Sequence, residues 1–369
     1  MQNQLKHIVV TCVFVVFLSF FVGMCVFCYF NPAAVSESER RPVAQFPEKI
    51  TWEGVMDKTI INDFEDYSVD QFPFREFFRS LKAKVQIYVL RLSENNGLAV
   101  KDGYIVKIEQ KFTQEFVDYS IGRLQYVYET LLKNNGGDKF VSVIPDKNYF
   151  LAKDYGYPSP DYDKLIDEVQ SALSGMEYID IFSELELEDY YRTDTHWSQD
   201  KMGAVVNKLA DELGAGNRIR GEYTENKLYP FKGVYYGQSA LNPELDTITY
   251  LTNEILNQCT VYDYETGQTC GVYHFEKFEG NDGYDFFLSG SKALLRIDNQ
   301  NADTEEALII FRDSFGSSIA PLLAEGYRSI YLVDIRFVVP DVLNQYIDFE
   351  NKDVLFLYST LILNSKSFK

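Results

Sequence analysis

The sequence predicts an α/β protein built on a central parallel sheet, with a β-rich insertion and an N-terminal transmembrane helix. Three observations lead there. Short apolar runs alternate with helical patterns on both sides of the chain's middle, as successive βαβ units require. A stretch from about residue 215 to 303 changes to turn residues, aromatics and β-branched residues. Residues 8–30 form a run of 23 without a charge, long enough to span a bilayer as a helix.

Taken in order, Lys6 precedes the apolar run, which favours a cytoplasmic N-terminus. A cleaved signal peptide is the rival reading, but its apolar core is ordinarily shorter. Val22-Gly23-Met24 is a poor lead into Cys25 for a lipoprotein signal. The expectation is an uncleaved anchor: residues 1–30 as cytoplasmic stub and span, 31–56 as a linker holding Pro32, Pro42 and Pro47, and 57–369 as one extracytoplasmic domain. From Asp57 to about Leu92 the pattern is helical, interrupted at Phe72-Pro73-Phe74-Arg75. These apolar faces read either as a stalk or partner helix, or as surfaces that pack on the domain.

Gly97 to Val106 reads as a turn and a short strand, and Thr113 to Lys133 as a helix closed by Asn134-Asn135-Gly136-Gly137. Phe140-Val141-Ser142-Val143-Ile144 is the first buried parallel strand, and Pro145-Asp146-Lys147-Asn148 is the loop at its carboxyl end. Asp161 to Leu173 is helical, and Tyr178-Ile179-Asp180-Ile181 is the next strand. Arg192-Thr193-Asp194-Thr195-His196-Trp197-Ser198 then opens a helix from about Gln199 to Leu213, with Ser198 as its N-cap. After the insertion the strands resume at 307–311, 329–333 and 354–358, giving five parallel strands in all.

Composition sets bounds. Hydrophobic residues make up 46% of the 369 and aromatics 15%, ample for a packed core. The formal charge of −20 argues against nucleic acid and against docking on anionic lipid. The 27 tyrosines suit a sugar-binding surface as well as a core. With three histidines and no Cys-x-x-Cys outside the apolar segment, neither a metal site nor a cofactor is expected. Cys259 and Cys270 lie eleven apart, and outside the cell they are a candidate disulfide; the other reading is two free thiols.

The candidate chemistry lies at the carboxyl ends of the strands, where an open parallel sheet gathers functional groups. Asp194 is two residues before His196, so in an extended segment both side chains point the same way. The carboxylate can then fix the imidazole's tautomer. Ser314 follows the strand 307–311 in Arg312-Asp313-Ser314-Phe315-Gly316 and is the candidate nucleophile, beside a helix N-terminus able to receive an oxyanion. Each motif alone is also an ordinary turn. Lys147, Asn148, Trp197 and Arg336 are candidate substrate contacts, with a solvated loop, a packed indole and an Asp334–Arg336 ion pair as the respective structural alternatives. His274 reads as structural.

These residues resemble a known family. Asp194-Thr195-His196-Trp197 resembles the signature of the DHHW proteins, related to the alginate O-acetylation proteins AlgJ and AlgX, with Thr where the second signature position has His. Asp70-Gln71-Phe72-Pro73-Phe74-Arg75, Ile144-Pro145-Asp146-Lys147, Asp313-Ser314-Phe315 and Asp334-Ile335-Arg336-Phe337 are similar too. The resemblance implies a circularly permuted SGNH-hydrolase-like three-layer sandwich, because the family's usual order is Ser, Asp, His and the order here is Asp, His, Ser. It implies a Ser314–His196–Asp194 triad acting on acetyl esters of an extracellular polysaccharide. It also implies a membrane-bound O-acyltransferase partner as acetyl donor. The block expected to bring an oxyanion-hole Asn reads Tyr358-Ser359-Thr360-Leu361, and Asn364 is the next Asn after it. A non-catalytic glycan-binding or assembly subunit is the alternative function.

Overall fold

The computed structural model describes residues 2–369, with side chains from residue 4 onward. The chain forms two compact units, Met1–Asn95 with Tyr236–Asn242, and Asn96–Tyr235 with Pro243–Lys369.

In the first unit, helix α1 (Gln2–Phe30) is apolar, exposed from residue 4 onward except at the half-buried Phe21, Met24 and Cys28, and long enough to cross a membrane. The segment after it has its own structure. Val35 and Ser36 pair with Pro42 and Arg41 in a two-stranded ribbon, and Trp52–Met56 is a short helix. Helices α2 (Thr59–Asp70) and α3 (Arg75–Lys84) follow, broken at Pro73, which has no amide to donate, and at Phe74, whose φ is 59°. The Asp70-Gln71 pair ties this unit together. Asp70 accepts two bonds from Arg41, at 2.6 and 2.8 Å, and the Gln71 amide bonds the backbone of Ala33 and Ala44.

The second unit opens with the hairpin β1 (Leu98–Lys101) and β2 (Tyr104–Lys107), then α4 (Gln114–Val127), β3 (Lys139–Ile144), α5 (Lys147–Tyr155), α6 (Tyr162–Ala172), β4 (Glu177–Tyr178) and α7 (Gly203–Glu212). The middle of the chain adds β5 (Thr224–Phe231), β6 (Asp246–Thr252), β7 (Thr260–Asp263), β8 (Gln268–Cys270) and β9 (Leu294–Asp298). It closes with β10 (Ala307–Arg312), α8 (Gly316–Leu323), β11 (Ser329–Val333) and β12 (Asp353–Ser359).

Eight strands form the main sheet in the order β8-β7-β9-β11-β10-β12-β3-β4. The five expected parallel strands are contiguous in it, from β11 to β4. Numbered from β10, the strand before Ser314, their order is 2-1-3-4-5, a doubly wound arrangement. The chain enters that arrangement at its fourth strand, which is the circular permutation. Alternate residues feed opposite faces. Leu308 and Ile310 join a core with α7 and α8, while Ile309 and Phe311 join one with α4 and α6. Both faces are thus covered, and the strands read as continuous apolar runs.

The β-rich insertion falls in two parts: β7, β8 and β9 extend the main sheet antiparallel from β11, while β5 and β6 form a ribbon of their own. Several expectations need correction. Within the stretch expected to be β-rich, Val234–Ser239 is a short helix. The strand 178–181 pairs only over Glu177–Tyr178. Ser198 precedes a short 3-10 turn, but its hydroxyl turns to the Asp200 carboxylate and caps no backbone amide. Cys259 and Cys270 are free thiols. The β7–β8 register sets Cys270 opposite Val261, two residues along from Cys259, too far for a disulfide to close without shifting the ladder. The Cys270 thiol instead faces His274 Nε2 at 3.4 Å.

Candidate active site

Two loops meet at the carboxyl end of the sheet. The first carries Asp194 and His196. The Asp194 carboxylate lies 2.6 Å from His196 Nδ1 and accepts the His196 amide at 3.0 Å through the same oxygen. Its other oxygen accepts the Val234 amide at 2.8 Å. His196 Nε2 lies 2.8 Å from Ser314 Oγ, across 118 positions of sequence. A carboxylate at Nδ1 selects the tautomer with its proton there, so Nε2 is free to accept from the Ser314 hydroxyl. Burial acts to raise the Asp194 pKa; the His196 ring and the amides of His196 and Val234 outweigh it and hold the carboxyl well below its usual range.

The loop is clamped from outside. Asp246, first residue of β6, accepts the amides of Arg192 and Thr193 at 3.0 and 2.7 Å and the Thr193 hydroxyl at 2.6 Å. The Gly233 amide reaches Thr193 Oγ1 at 3.0 Å. A Cβ on Gly233 would stand 2.3 Å from the Thr193 carbonyl carbon, so only glycine lets the two backbones touch here. From the other side Lys147 Nζ donates to the carbonyls of Tyr191 and Arg192 at 2.9 and 3.4 Å. Burial pushes the Lys147 pKa down to about 7, against the pull of Asp194 and Asp246.

Ser314 is held from within the sheet. Asp313 is fully buried, and its carboxylate accepts the Phe315 amide at 3.0 Å and the Ser359 amide, from the end of β12, at 2.8 Å. Arg312, also fully buried, runs under the first turn of α8, where a Cβ on Gly316 would lie 2.8 Å from its own Cβ. Its Nη1 donates to the Asp313 carbonyl and Ser317 Oγ, at 3.2 and 2.9 Å. A guanidinium and the positive pole of α8 therefore sit together beneath the serine.

Aromatic rings fix the imidazole. Tyr284 stacks on His196 with centroids 3.8 Å apart and planes at 4°. The Tyr284 hydroxyl and the Trp197 indole both donate to Ser318 Oγ, at 2.8 and 2.9 Å, linking the histidine loop to α8.

The proposed substrate contacts fare differently. Lys147, Asn148 and Trp197 are 3%, 0% and 0% exposed, and each is bonded inside the protein, which overturns their reading as substrate contacts. Arg336 forms a two-point ion pair with Asp334, at 2.9 and 2.6 Å, the structural alternative anticipated for it. Asn364 turns its side-chain oxygen to the Thr113 amide, and Ser359 and Thr360 are taken up by Asp313 and Asp146. Asp246, Gly233 and Tyr284 were not singled out by sequence. The partners that place them at the site lie 34 or more residues away, and no local pattern marks them.

A mostly parallel sheet in doubly wound order, covered on both faces and entered at its fourth strand, defines an SGNH-like α/β fold. Comparison with solved structures agrees. A DHHW family protein from Eubacterium siraeum superposes with a TM-score of 0.60, at 22% identity, over 73% of this chain and 93% of that one. Bacillus cereus PatB1 superposes at 0.58, with 17% identity, over 74% of this chain and 99% of that one, and a second PatB1 structure carries a sulfonyl adduct. The O-acetyltransferase domain of Pseudomonas putida AlgJ gives a TM-score of only 0.44, at 14% identity, over 73% and 92% of the two chains. The DHHW resemblance seen in the sequence thus holds at the level of fold. No family model and no curated protein matches the chain.

Proposed function

We propose that this protein is a membrane-anchored, extracytoplasmic O-acetyltransferase or acetylesterase acting on a cell-surface or exported polysaccharide. The observation that carries the reading is the continuous contact Asp194–His196–Ser314, at 2.6 and 2.8 Å. His196 Nε2 takes the Ser314 proton as Oγ attacks the acetyl carbonyl. The tetrahedral oxyanion forms near the positive pole of α8 and the Arg312 charge. As it collapses, His196 returns the proton to the departing alcohol, leaving acetyl-Ser314. A sugar hydroxyl or water then gives its proton to His196 and attacks the acyl carbon, releasing acetylated sugar or acetate and restoring the serine. An anchor at residues 8–30 would keep the domain near a membrane-bound O-acyltransferase supplying acetyl groups, which favours transfer.

Detergent-solubilised full chain with a chromogenic acetyl ester tests this. Release should occur and fall to background in Ser314→Ala. A sulfonyl fluoride should add to Ser314 in the wild type and to nothing in that variant. Wild-type protein that binds glycan yet neither releases chromogen nor takes the label would be a binding subunit instead.

A further inference from the structure

We propose that the Phe72-Pro73-Phe74 turn and the apolar stripe of α3 are buried in the outer leaflet of the bilayer, as a lipid-embedded hairpin beside the span. The inference rests on reading α1 as a membrane span. The ring of Phe74 stacks on Phe20 with centroids 6.2 Å apart, and Phe72 and Phe78 meet Phe21 at 6.2 and 6.5 Å. The turn therefore lies against the side of α1, well short of its C-terminal end at Phe30.

Depth follows from the helix geometry. The positive-inside rule sets Lys6 at the inner interface. About 20 helical residues cross the roughly 30 Å hydrocarbon core, which then ends near Val26. Phe20 and Phe21 sit five or six residues inside that limit, about 8 Å at 1.5 Å per residue. The rings packed on them share that depth, which is the range an interfacial amphipathic helix occupies.

The surface chemistry agrees. Phe74, Phe77, Phe78 and Leu81, continued past the end of α3 by Val85, Tyr88 and Val89 on the helical turn Val85–Val89, recur at helical spacing and are exposed, Phe77 by 62% and Val89 by 70%. The opposite side closes on itself through charges: Arg75 and Arg79 both meet Glu39, at 2.7 and 3.0 Å, and Arg41 meets Asp70 at 2.6 Å. A stripe continuous with a span and made of large Phe, Leu, Val and Tyr side chains suits acyl chains. A protein helix within the membrane would select Gly, Ala or Ser at the contact. Lys82 and Lys84 are exposed on α3, long enough to reach the headgroups.

The test places the full chain in phosphatidylcholine vesicles with a tryptophan on the stripe, Phe77→Trp in a Trp52→Phe background. Leu81→Trp repeats the measurement one turn on, should the first variant fold poorly. Bromines are set at shallow, intermediate or deep positions of the acyl chains. After subtraction of the Trp197 signal recorded in Trp52→Phe alone, the stripe tryptophan should lose most of its emission, with the strongest loss from bromines in the upper half of the chain. Unchanged emission from both stripe variants, in chain that alkaline carbonate leaves in the vesicle pellet, would overturn the hairpin and leave the anchor standing. Release by carbonate would remove the anchor itself. Quenching that disappears as the chain-to-lipid ratio rises would mean a second copy covers the stripe, and would also overturn lipid burial.

Discussion

The serine turn and the histidine loop meet at 2.8 Å but are built in different ways. Ser314 stands at the end of a central strand. Its neighbours Arg312 and Asp313 are fully buried, and Asp313 ties β10 to β12 through the Ser359 amide. The Asp194–His196 loop follows no strand directly. Asp246, Gly233 and Val234, from the stretch after α7, and Lys147, the first residue of α5, hold it in place. The nucleophile is thus part of the fold, while the acid–base pair is positioned by contacts arriving from elsewhere. Damage to the first should appear as lost stability, and damage to the second as lost rate.

The largest expected effect breaks the pair itself. Asp194→Asn keeps the shape but no longer fixes the imidazole tautomer, and kcat should fall by about 10⁴-fold with a nearly unchanged melting temperature. Stopped assays of ester release and a thermal melt check both halves. Next, Asp313→Ala leaves the Phe315 and Ser359 amides buried without an acceptor, at about 1–3 kcal/mol each. Denaturant unfolding should show that loss directly. Asp246→Ala is the matching change on the loop side. It should lower kcat by about 10- to 100-fold, as lost outer contacts do at metal sites, and cost less stability than Asp313→Ala, because Asp246 is 9% exposed and its Arg192 amide partner only half-buried, so water can replace part of what is lost. If Asp246→Ala unfolds the protein as readily as Asp313→Ala does, the distinction between the two loops fails. Gly233→Ala forces a methyl against the Thr193 backbone and should cost about 1–3 kcal/mol together with a loss of rate.

The smallest effect concerns pH. The Lys147 pKa is lowered to about 7 by burial, from an ordinary 10.5, so between those values the unfolded chain binds more protons than the folded one. Stability contributed by this group should therefore rise with pH from about 7 to 10.5. A melting series across that window should show a steeper rise in the wild type than in Lys147→Met. Parallel slopes would mean the lysine is not buried as described.

The contrast also explains what sequence could reveal. Strands buried on both faces announce themselves as unbroken apolar runs, as at 140–144, 307–311 and 354–358. The Asp194–His196 spacing and the position of Ser314 after a strand are likewise local signals. The outer clamp is not local. Asp246 opens a β-branched strand and looks like a solvated residue until the fold turns its carboxylate onto Thr193. Lys147 and Asn148 read in the sequence as a polar loop resembling a binding site, yet they open α5 and burial makes both of them internal braces. Alternation in β7 and β9 marks them as strands without saying which sheet they join. The Cys259–Cys270 spacing suggests a bridge, but the register that forbids it is a property of the paired strands.

The most direct test of the account is to mix full chain with an acetyl ester, quench in acid within the first turnover, and map the added mass by peptide sequencing. One acetyl group should appear on Ser314, vanish in Ser314→Ala and accumulate far more slowly in His196→Ala. Ester turnover with no acetyl on Ser314, or with acetyl on another residue that survives Ser314→Ala, would contradict it.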